Sequence, residues 1–596
     1  MHKVSIVGAG IAGLTAALRL LERNYHVTLY EQDDFIGGML RSHKEHDHGD
    51  NPREHSYHML CNWYFNFWSV AKDLGIERNF TPREAFKFLY EGHVQDMPEM
   101  VNPGGIQDFY RNLTGGAAPV EELFLFMYSM VDLLSIPDSE DDELDKISFN
   151  GWLRSRPYCT ETVAKLHEKI WQTVWAIDSW QASARSYKTF LKYGNRVPVP
   201  QLWLFKGSKK DTLLDPFLKK LHSHGERFEL KYLHRLQAIH PDSSGKKIGQ
   251  LVFDEVSASP SINPQWKVKK KGIKVDVAEE DVIISISPGG FTPLVTGDLY
   301  NVDPALGQVR YLEAEPMASV ELYLNRKLPD IPPDVVVFMN TDYEMTFLDY
   351  SQTWGLEKTF LYVTVSDFKS LLSAEPEKRD PDGNLILDLQ HPKTAIDYIL
   401  REINKNIDIS VADIDLYQTS IETNTGEELF ANLTGSWAHR PEVKTAFSNM
   451  FLAGTYVRNF ADVATVEGAC ATGLIAAEGV RENASRRPER GAPGEKIEVI
   501  TPDAYPSELF QALKVAWAPY AGSAKLWSAA DKAFGVNRIW PPKNFKLPKL
   551  KFTPSPDDLG SFFTDFLPRS KWNQKTMGLG PMFWNYTPDG KPRKGF

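Results

Sequence analysis

Three glycines and one acid near the N-terminus have the types and spacing of a phosphate-binding turn. Gly8, Gly10 and Gly13 form the pattern G-x-G-x-x-G, and Glu31 follows further along the same segment. In such a turn the first glycine permits a tight bend, the second lets the main chain approach a pyrophosphate, and the third allows close helix packing. The following helix N-terminus presents N–H groups to phosphates, and the acid can accept hydrogen bonds from a ribose diol. The spacing therefore predicts a dinucleotide site.

The elements around these glycines fit that chemistry. Val4–Val7 is an apolar run typical of a buried strand, Leu14–Leu21 is typical of a helix, and His26–Tyr30 predicts a second strand. Strand, glycine turn, helix, strand and acid together predict a Rossmann-type α/β fold, which an isolated glycine turn would not.

A second glycine-bearing helix start lies far along the chain. Asn449–Thr455 has the pattern of a buried strand that ends in a glycine turn, and a helix is predicted from Val466 to about Val480. Ala469 and Gly473 share one face of that helix. Small residues there allow another backbone to approach closely, so the helix is expected to pack tightly against a neighbour.

Two short motifs resemble the signatures of one flavoprotein superfamily. Phe35–Ser42 contains a glycine pair, and Leu452–Thr455 is followed by the run Val466–Ala469, whose sequence is VEGA. Both resemble the flavin-containing amine oxidase and phytoene desaturase-like superfamily of FAD-dependent oxidoreductases. In that family the glycine pair runs beneath the flavin, and the second helix start directs N–H groups at the flavin pyrimidine edge, where reduced flavin carries negative charge. The resemblance implies FAD as the cofactor.

The motifs depart from the family pattern in places. Met39 and Leu40 separate the glycine pair from Arg41, and Val466 replaces a methionine whose contact is made by the main chain. A hairpin predicted over residues 228–253 corresponds to the family strand that contacts adenine. The resemblance assigns cofactor contacts to Gly8, Gly10, Ile11, Ala12, Gly13, Glu31, Gly37, Gly38, Met39, Leu40, Arg41, Leu236, Gly454, Thr455, Val466, Glu467 and Ala469.

The positions of these motifs predict a discontinuous Rossmann-type FAD-binding domain with an inserted α+β substrate-binding domain. The expected segments are 1–70, 205–290 and 440–485 for the FAD-binding domain, 71–204 and 291–439 for the substrate domain, 486–506 for a linker rich in Arg, Pro and Gly, and 507–596 for a C-terminal extension.

One further run bears on the branch of the family. Glu54–His58, followed by Tyr64–Asn66, is similar to a run in plant-type phytoene and zeta-carotene desaturases and in bacterial relatives acting on squalene derivatives. Amine oxidases cage their substrate nitrogen between two aromatic side chains, one of them two residues before the glutamate of the second motif. Here that position is Thr465, which resembles the serine of desaturases, so a cage would need Trp437 or Tyr456. The resemblance favours the desaturase branch.

His58, Trp437 and Thr465 are the candidate catalytic residues. A histidine near the flavin could orient substrate or accept a proton, because its pKa is ordinarily near neutrality; alternatively, it only hydrogen-bonds the main chain. The expected reaction is dehydrogenation or desaturation of a largely apolar, isoprenoid-like small molecule, with hydride transfer to flavin N5. An amine or amino-acid oxidase using O2, a non-redox isomerase and a purely structural FAD stay open as alternatives.

Composition limits the partners. With 596 residues and a formal net charge of −11, the chain lacks the basic footprint of a general nucleic-acid binder. Cys61, Cys159 and Cys470 form no CxxC pair, so neither a metal site nor a disulfide framework is predicted, and the HKEHDH run at 43–48 is expected to be a solvated hairpin tip.

No apolar run reaches the ~20 residues of a membrane span, and no secretory signal precedes the first strand. A cytoplasmic enzyme is expected, with membrane association as the alternative.

The C-terminal extension has two distinct parts. Ser507–Phe534 predicts a helix, and Trp540–Phe552 alternates cations with apolar side chains. The second part is expected either to pack as an arm on its own body or on a second subunit of a homo-oligomer, or to seat on an anionic membrane.

Overall fold

A computed structural model of the chain describes residues 2–43, 53–54, 56–83, 86–96, 117–194, 202–257, 266–373, 392–424, 429–502 and 504–534. The strands are β1 (Lys3–Val7), β2 (His26–Tyr30), β3 (Ser42–His43), β4 (Arg53–Glu54), β5 (Leu60–Cys61), β6 (Phe80–Arg83), β7 (Lys87–Tyr90), β8 (His93–Asp96), β9 (Leu202–Phe205), β10 (Phe228–Lys231), β11 (His234–Pro241), β12 (Ile248–Val256), β13 (Val268–Asp276), β14 (Asp281–Ile284), β15 (Ala314–Glu315), β16 (Ala318–Tyr323), β17 (Val336–Phe338), β18 (Met345–Asp349), β19 (Phe360–Val365), β20 (Ser420–Thr423), β21 (Leu429–Phe430) and β22 (Met450–Leu452). The α-helices are α1 (Ile11–Leu21), α2 (Phe65–Leu74), α3 (Val120–Leu134), α4 (Asp141–Leu144), α5 (Phe149–Arg154), α6 (Glu161–Trp175), α7 (Ala184–Gly194), α8 (Asp215–His222), α9 (Pro288–Phe291), α10 (Gly297–Val302), α11 (Tyr350–Trp354), α12 (Phe368–Ser373), α13 (Pro392–Ile403), α14 (Ser436–His439), α15 (Val466–Ser485) and α16 (Ser507–Ala533).

A five-stranded parallel sheet in the order β10-β2-β1-β14-β22 joins segments that are far apart in sequence. In its centre Val7 aligns with Tyr30 on one side and with Ile284 on the other. Ile6 and Ile283 are fully buried, as strands covered on both faces require. The predicted Rossmann-type α/β fold is confirmed, while the exact domain boundaries stay a prediction.

The predicted hairpin over residues 228–253 is wrong at its start. β10 pairs in parallel with β2 and forms the edge of the Rossmann-type sheet. The chain then reverses its course at Leu233, whose φ is +60°. Only β11 and β12 form the antiparallel hairpin, in which Leu236 pairs with Phe253. The two strands are nearly contiguous in sequence, so their apolar pattern alone did not separate them.

A second, mostly antiparallel sheet has seven strands in the order β20-β16-β19-β18-β17-β7-β8. Its core contains the fully buried residues Val320, Phe347 and Val363. A separate hydrophobic core lies among α3, α5, α6 and α7 and includes Trp152 and Trp171. Sheet and helices together form the α+β part of the predicted fold.

The helices α1 and α15 cross at very short range. A Cβ atom at Gly473 would lie 2.3 Å from the carbonyl oxygen of Ala12. Thr15 Oγ1 also donates to the buried Cys470 Sγ at 3.6 Å. The close crossing places the start of α1 against the second turn of α15, which is what the small residues of the second motif were expected to allow.

The C-terminal helix α16 packs along α3. Phe510 is buried against that core, and the rings of Phe124 and Trp517 have centroids 5.7 Å apart. The preceding segment, predicted as a linker, lies on the Rossmann-type fold: Arg23 Nε donates to Glu495 O at 2.6 Å and Ile500 N donates to Asn66 Oδ1 at 2.8 Å. Residues 540–552 lie outside the described residues. Within the described ranges, no helix is long and apolar enough to cross a membrane.

The helix crossing predicts a specific intolerance at Gly473. Gly473→Ala should lower the free energy of unfolding by about 1–3 kcal/mol, because the new Cβ meets a main-chain oxygen that cannot rotate away. Gly522→Ala is the matched control, since nothing lies within 4 Å of a Cβ at that helical position and alanine favours a helix over glycine. Thermal unfolding should show a lower apparent Tm for the first variant alone. Equal effects of both substitutions would contradict the crossing.

Candidate functional site

The glycine turn after β1 lies against a neighbouring main chain. Gly8 has a φ of +100°, and a Cβ there would be 2.0 Å from the carbonyl oxygen of Ser285. A Cβ at Gly13 would be 2.0 Å from the carbonyl oxygen of Gly8. At Gly10, by contrast, the nearest atom to a Cβ is Gly38 Cα at 3.9 Å. Gly8 and Gly13 therefore serve backbone packing, whereas Gly10 keeps space open above the turn.

The N-terminus of α1 faces a cavity without a side-chain cap. Gly10 is its N-cap residue and offers no side-chain acceptor. Gly10, Ile11 and Ala12 all line the cavity. Unpaired N–H groups at the positive end of a helix dipole favour an anionic ligand. This end of the cavity therefore has the chemistry of a phosphate site.

Glu31, directly after β2, bonds the same turn. Its Oε2 accepts from Ala9 N at 2.7 Å and its Oε1 accepts from Gln32 N at 2.7 Å. Glu31 and Leu236 both line the cavity. The acid and the residue assigned to the adenine contact thus border the same space as the glycine turn.

The second glycine pair packs directly on the first turn. Gly37 N donates to Ala9 O at 2.9 Å, and a Cβ at Gly38 would lie 3.1 Å from Gly10 Cα. Both glycines have positive φ, +118° and +55°. The pair and the following Met39 and Leu40 line the cavity, so the two glycine segments form one continuous floor.

The start of α15 borders this cavity from the other side of the chain. Thr465 caps the helix, because its Oγ1 accepts from Gly468 N at 3.1 Å. Thr472 Oγ1 accepts from Gly454 N at 3.0 Å and ties the helix to the preceding turn. The lining residues of this region are Gly454, Thr455, Thr465, Val466 and Ala469. The structure therefore brings the two glycine-bearing helix starts to one cavity.

Glu467 does not line the cavity and instead connects two helices. It is fully buried, and its oxygens accept from Asn66 Nδ2 at 2.7 Å and from Phe67 N at 3.0 Å, at the start of α2. Burial raises the pKa of this carboxyl to about 7, against the opposing effect of those hydrogen bonds. Glu467 thus holds the N-terminus of α2 against that of α15.

The cavity has a volume of about 570 Å³ and continues from the glycine turns into an apolar chamber. Helices α3, α6 and α7 supply uncharged walls to this chamber. The residues they contribute are Met130, Ile170, Thr173, Val174, Trp175, Tyr187, Phe190, Leu191 and Gly194. Phe430 and the buried Tyr456 also line it. A chamber without charged walls suits a ligand that needs no ionic anchor.

His58 lies in the cavity wall, backed by a buried lysine. Lys209 Nζ is 3.2 Å from His58 Nδ1 and 3.2 Å from Glu54 Oε2, and it donates to the carbonyl oxygen of Ser56. Burial lowers the pKa of His58 well below its ordinary value, and the Lys209 charge lowers it further. Burial also lowers the pKa of Lys209, against the carboxylate of Glu54. His58 is therefore neutral near pH 7.

Further buried charges surround this pair. Arg53 Nη1 bonds Glu422 Oε1 at 3.1 Å, and Glu321 Oε1 accepts from Glu54 N at 2.9 Å. Arg41, assigned to the cofactor by resemblance, does not line the cavity; its Nη2 donates to the Thr423 carbonyl at 3.3 Å. These charges join β4 to strands β16 and β20 of the second sheet.

Trp437 lies in a different place. It lines a surface cleft that does not contain the glycine turns, and the Arg185 guanidinium stacks 3.7 Å from its ring centroid. Of the two alternative aromatics for the amine cage, Trp437 and Tyr456, the structure brings only Tyr456 to the cavity. Gly13, Arg41 and Glu467 also stand outside the lining, and the other residues assigned by resemblance lie along it.

Sequence reasoning missed two groups. Residues 285–290 line the cavity just after β14; the glycine pair Gly289-Gly290 behind an apolar strand was the available signal. Lys209 gave no signal, because a lysine beside Lys210 in a polar loop is typical of a solvated turn.

The HKEHDH run lies almost entirely outside the described residues. Across the part of the chain that is described, no cluster of metal-ligating side chains occurs.

Fold and site now define the class of protein. The family model of an NAD(P)-binding Rossmann-like domain matches residues 6–74, which run from the end of β1 through α1, β2 and the second glycine pair to the end of α2. The chain is similar in sequence to carotene desaturases and in fold to amine oxidases, so the resemblance to the flavin-containing amine oxidase and phytoene desaturase-like superfamily seen in the sequence is confirmed. The predicted oxidoreductase activity class is likewise confirmed.

Particular relatives refine this class. Zeta-carotene desaturase of Synechocystis sp. is 25% identical over 528 residues, covering 81% of this chain and 98% of that protein. The chloroplastic/chromoplastic zeta-carotene desaturase of Arabidopsis thaliana is 25% identical over 499 residues, covering 79% and 84%. Among solved structures, cyclohexylamine oxidase from Brevibacterium oxydans has a TM-score of 0.53 at 16% identity, covering 81% of this chain and 100% of that one. The structural likeness supports the fold alone.

Substitution of the buried Lys209 is expected to lower stability more than substitution of its neighbour Lys210. Lys209→Met leaves the buried Glu54 without its cation and should lower the free energy of unfolding by about 3–5 kcal/mol. Lys210→Met is the control, because Lys210 pairs with Asp215 at the surface and such pairs contribute about 1 kcal/mol or less. Chemical denaturation of both variants measures the difference. Similar losses would show that Lys209 is not buried as described.

Glu467 predicts a pH dependence. Its folded-state pKa of about 7 lies above the ordinary 4.5, so the folded protein binds this proton more tightly and loses stability as pH rises between these values. The loss amounts to about 3 kcal/mol. Glu467→Gln removes the dependence, so the wild-type advantage over the variant should shrink from pH ~5 to pH ~8.

The control for this experiment is Glu478→Gln on the same helix. The pKa of Glu478 is lowered, with Arg481 as a partner, so Glu478 stays ionised in both folded and unfolded states over that range. Its stability difference from wild type should not change with pH there. A constant difference for Glu467→Gln as well would contradict the assignment.

Proposed function

We propose that this protein is an FAD-dependent dehydrogenase that introduces a double bond into a largely apolar, isoprenoid-like small molecule. The observation that carries the proposal is the single cavity that joins two glycine-bearing helix starts to an uncharged chamber. The zeta-carotene desaturases related to the chain along most of its length support the same reaction class.

The residues present fit FAD. Gly10 keeps the space above the turn open, and the uncapped start of α1 offers N–H groups for the pyrophosphate. Glu31 and Leu236 would hold the adenosine portion. The Gly37-Gly38 floor and the start of α15 would hold the flavin ring, where main-chain N–H groups favour the negative charge of the reduced form.

The chamber fits the substrate class. Its helical walls carry aromatic and aliphatic side chains such as Trp175, Phe190 and Leu191, and none of the lining residues from α3, α6 or α7 is charged. A hydrocarbon chain gains its binding free energy from apolar burial and needs no ionic partner. An amine substrate would need an aromatic cage; Trp437 stands outside this cavity and Tyr456 is the remaining candidate.

The reaction divides between cofactor and protein. Bound FAD would accept a hydride, which carries two electrons, from one substrate carbon. A proton must then leave the adjacent carbon. His58 in the cavity wall is neutral and held by Lys209, so we assign it the role of orienting the substrate and receiving that proton transiently. Its low pKa favours rapid release to water.

Substitutions at Gly10 and Gly13 are expected to have different effects, the first on flavin binding and the second on folding. Gly10→Val should leave a folded protein without flavin, because its side chain would occupy open space that the pyrophosphate needs. Gly13→Ala should instead lower folded yield, since its Cβ would meet Gly8 O at 2.0 Å. Absorbance of purified protein and circular dichroism separate the two effects. Wild-type flavin content in Gly10→Val would refute the pyrophosphate assignment.

The reaction itself is tested on the holoprotein. Under anaerobic conditions a polyene substrate such as zeta-carotene in detergent should bleach the yellow flavin and yield a product lighter by two hydrogens. Hydrogen peroxide formed with an amine panel would establish an amine oxidase instead. A product of unchanged mass would establish an isomerase, and a flavin that no substrate reduces would indicate a structural cofactor.

A further inference from the structure

The outward face of α16 carries large apolar side chains and no charge. Val515, Leu526 and Trp527 are 75%, 74% and 67% exposed, and Tyr520 is 66% exposed. With 3.6 residues per turn, these four side chains fall within an arc of about 140°. From residue 512 to residue 529, every exposed position on the helix is uncharged. The helix thus presents an uncharged, largely apolar stripe several turns long, which Ser523 interrupts.

The polar side chains of the same helix point the other way. Lys514 Nζ bonds Asp132 Oδ1 at 2.5 Å and Ser528 Oγ donates to Glu122 Oε1 at 2.5 Å. Lys525 Nζ donates to the carbonyl oxygen of Cys159 at 2.5 Å. Both carboxylates, on α3, are buried. These bonds fix the rotation of α16 about its axis, so the apolar stripe cannot turn inward.

This arrangement is the reverse of an ordinary surface helix. A helix in contact with water places charged residues outward and apolar residues inward. An outward stripe of this length marks an interaction surface, and exposed Trp and Tyr beside aliphatic residues are typical of helices that lie in a membrane interface.

The sequence directly after α16 adds charge complementarity. Residues 535–552 contain Arg538, Lys543, Lys546, Lys549 and Lys551 and no acid, although the whole chain has a net charge of −11. Basic residues next to an interfacial helix attract anionic lipid headgroups. A second copy of this chain, which is acidic overall, would also attract these residues, so the choice of a bilayer rests on the exposed Trp and Tyr of the stripe.

We propose that the outward face of α16 seats on the surface of an anionic lipid bilayer. Binding at this face requires neither the FAD nor the substrate assignment. If the proposed function also holds, this face lies near the substrate chamber, because α16 packs on α3 and α3 supplies Met130 to the chamber wall. An apolar substrate would then enter from the membrane without crossing water.

The test is vesicle flotation of the full chain. The protein should float with vesicles of phosphatidylcholine mixed with phosphatidylglycerol, and less with phosphatidylcholine alone. The double variant Leu526→Ser with Trp527→Ser should bind the mixed vesicles with an affinity at least about tenfold lower than that of the wild type, because two apolar anchors are lost. The matched control is Tyr311→Ser with Tyr417→Ser, which removes two exposed aromatics, 52% and 64% exposed, that lie off α16; it should bind like wild type.

Circular dichroism and thermal unfolding show that each variant is folded, and Val515→Ser gives an independent, smaller loss on the same stripe. Failure of the wild type to float, or equal flotation of wild type and the Leu526/Trp527 variant, would overturn the proposal. A lipid-free dimer that this variant abolishes, without vesicle binding by the wild type, would show that a second copy covers the face. Flotation by a wild-type protein that neither contains FAD nor binds added FAD would support the proposed membrane surface and refute the proposed function.

Discussion

The close crossing of α1 and α15 is the constraint on which the site depends. Because Gly473 has no side chain, the carbonyl of Ala12 can approach the second helix, and the two N-terminal ends open onto one cavity. Both ends carry partial positive charge, so each favours a negative group on a ligand in that cavity. The crossing therefore places two anion-favouring helix ends at the border of one space.

The buried carboxyl of Glu467 stabilises this arrangement from the side away from the cavity. Glu467 accepts hydrogen bonds from the start of α2 while standing in the first turn of α15. Asn66 extends the same set of bonds to Ile500 beyond α15. A change at this one position would disturb two helix ends and the C-terminal segment together, although Glu467 does not face the cavity.

The other wall of the cavity depends on buried charge. Arg53 and the main chain of Glu54 bond Glu422 and Glu321 on the second sheet. Lys209 pairs with Glu54 on the other side. Such networks are costly to desolvate and tolerate little rearrangement. Here they join the second sheet to β4, while burial, with the Lys209 charge as a smaller cause, lowers the pKa of His58 at the edge of the chamber.

The sequence alone determined the Rossmann-type unit and both glycine turns, because each rests on the local geometry of glycine, on helix dipoles and on apolar periodicity over a short stretch. The oxidoreductase class came from the resemblance of the two glycine motifs to a known superfamily. Only the tertiary structure decided that Tyr456 faces the cavity while Trp437 does not, that Phe228–Lys231 joins the parallel sheet, and that Lys209 is buried. It also decided which face of α16 meets solvent, since that depends on bonds to α3. These features arise from contacts between residues far apart in the chain, and a one-dimensional pattern does not encode which distant partner a side chain will meet.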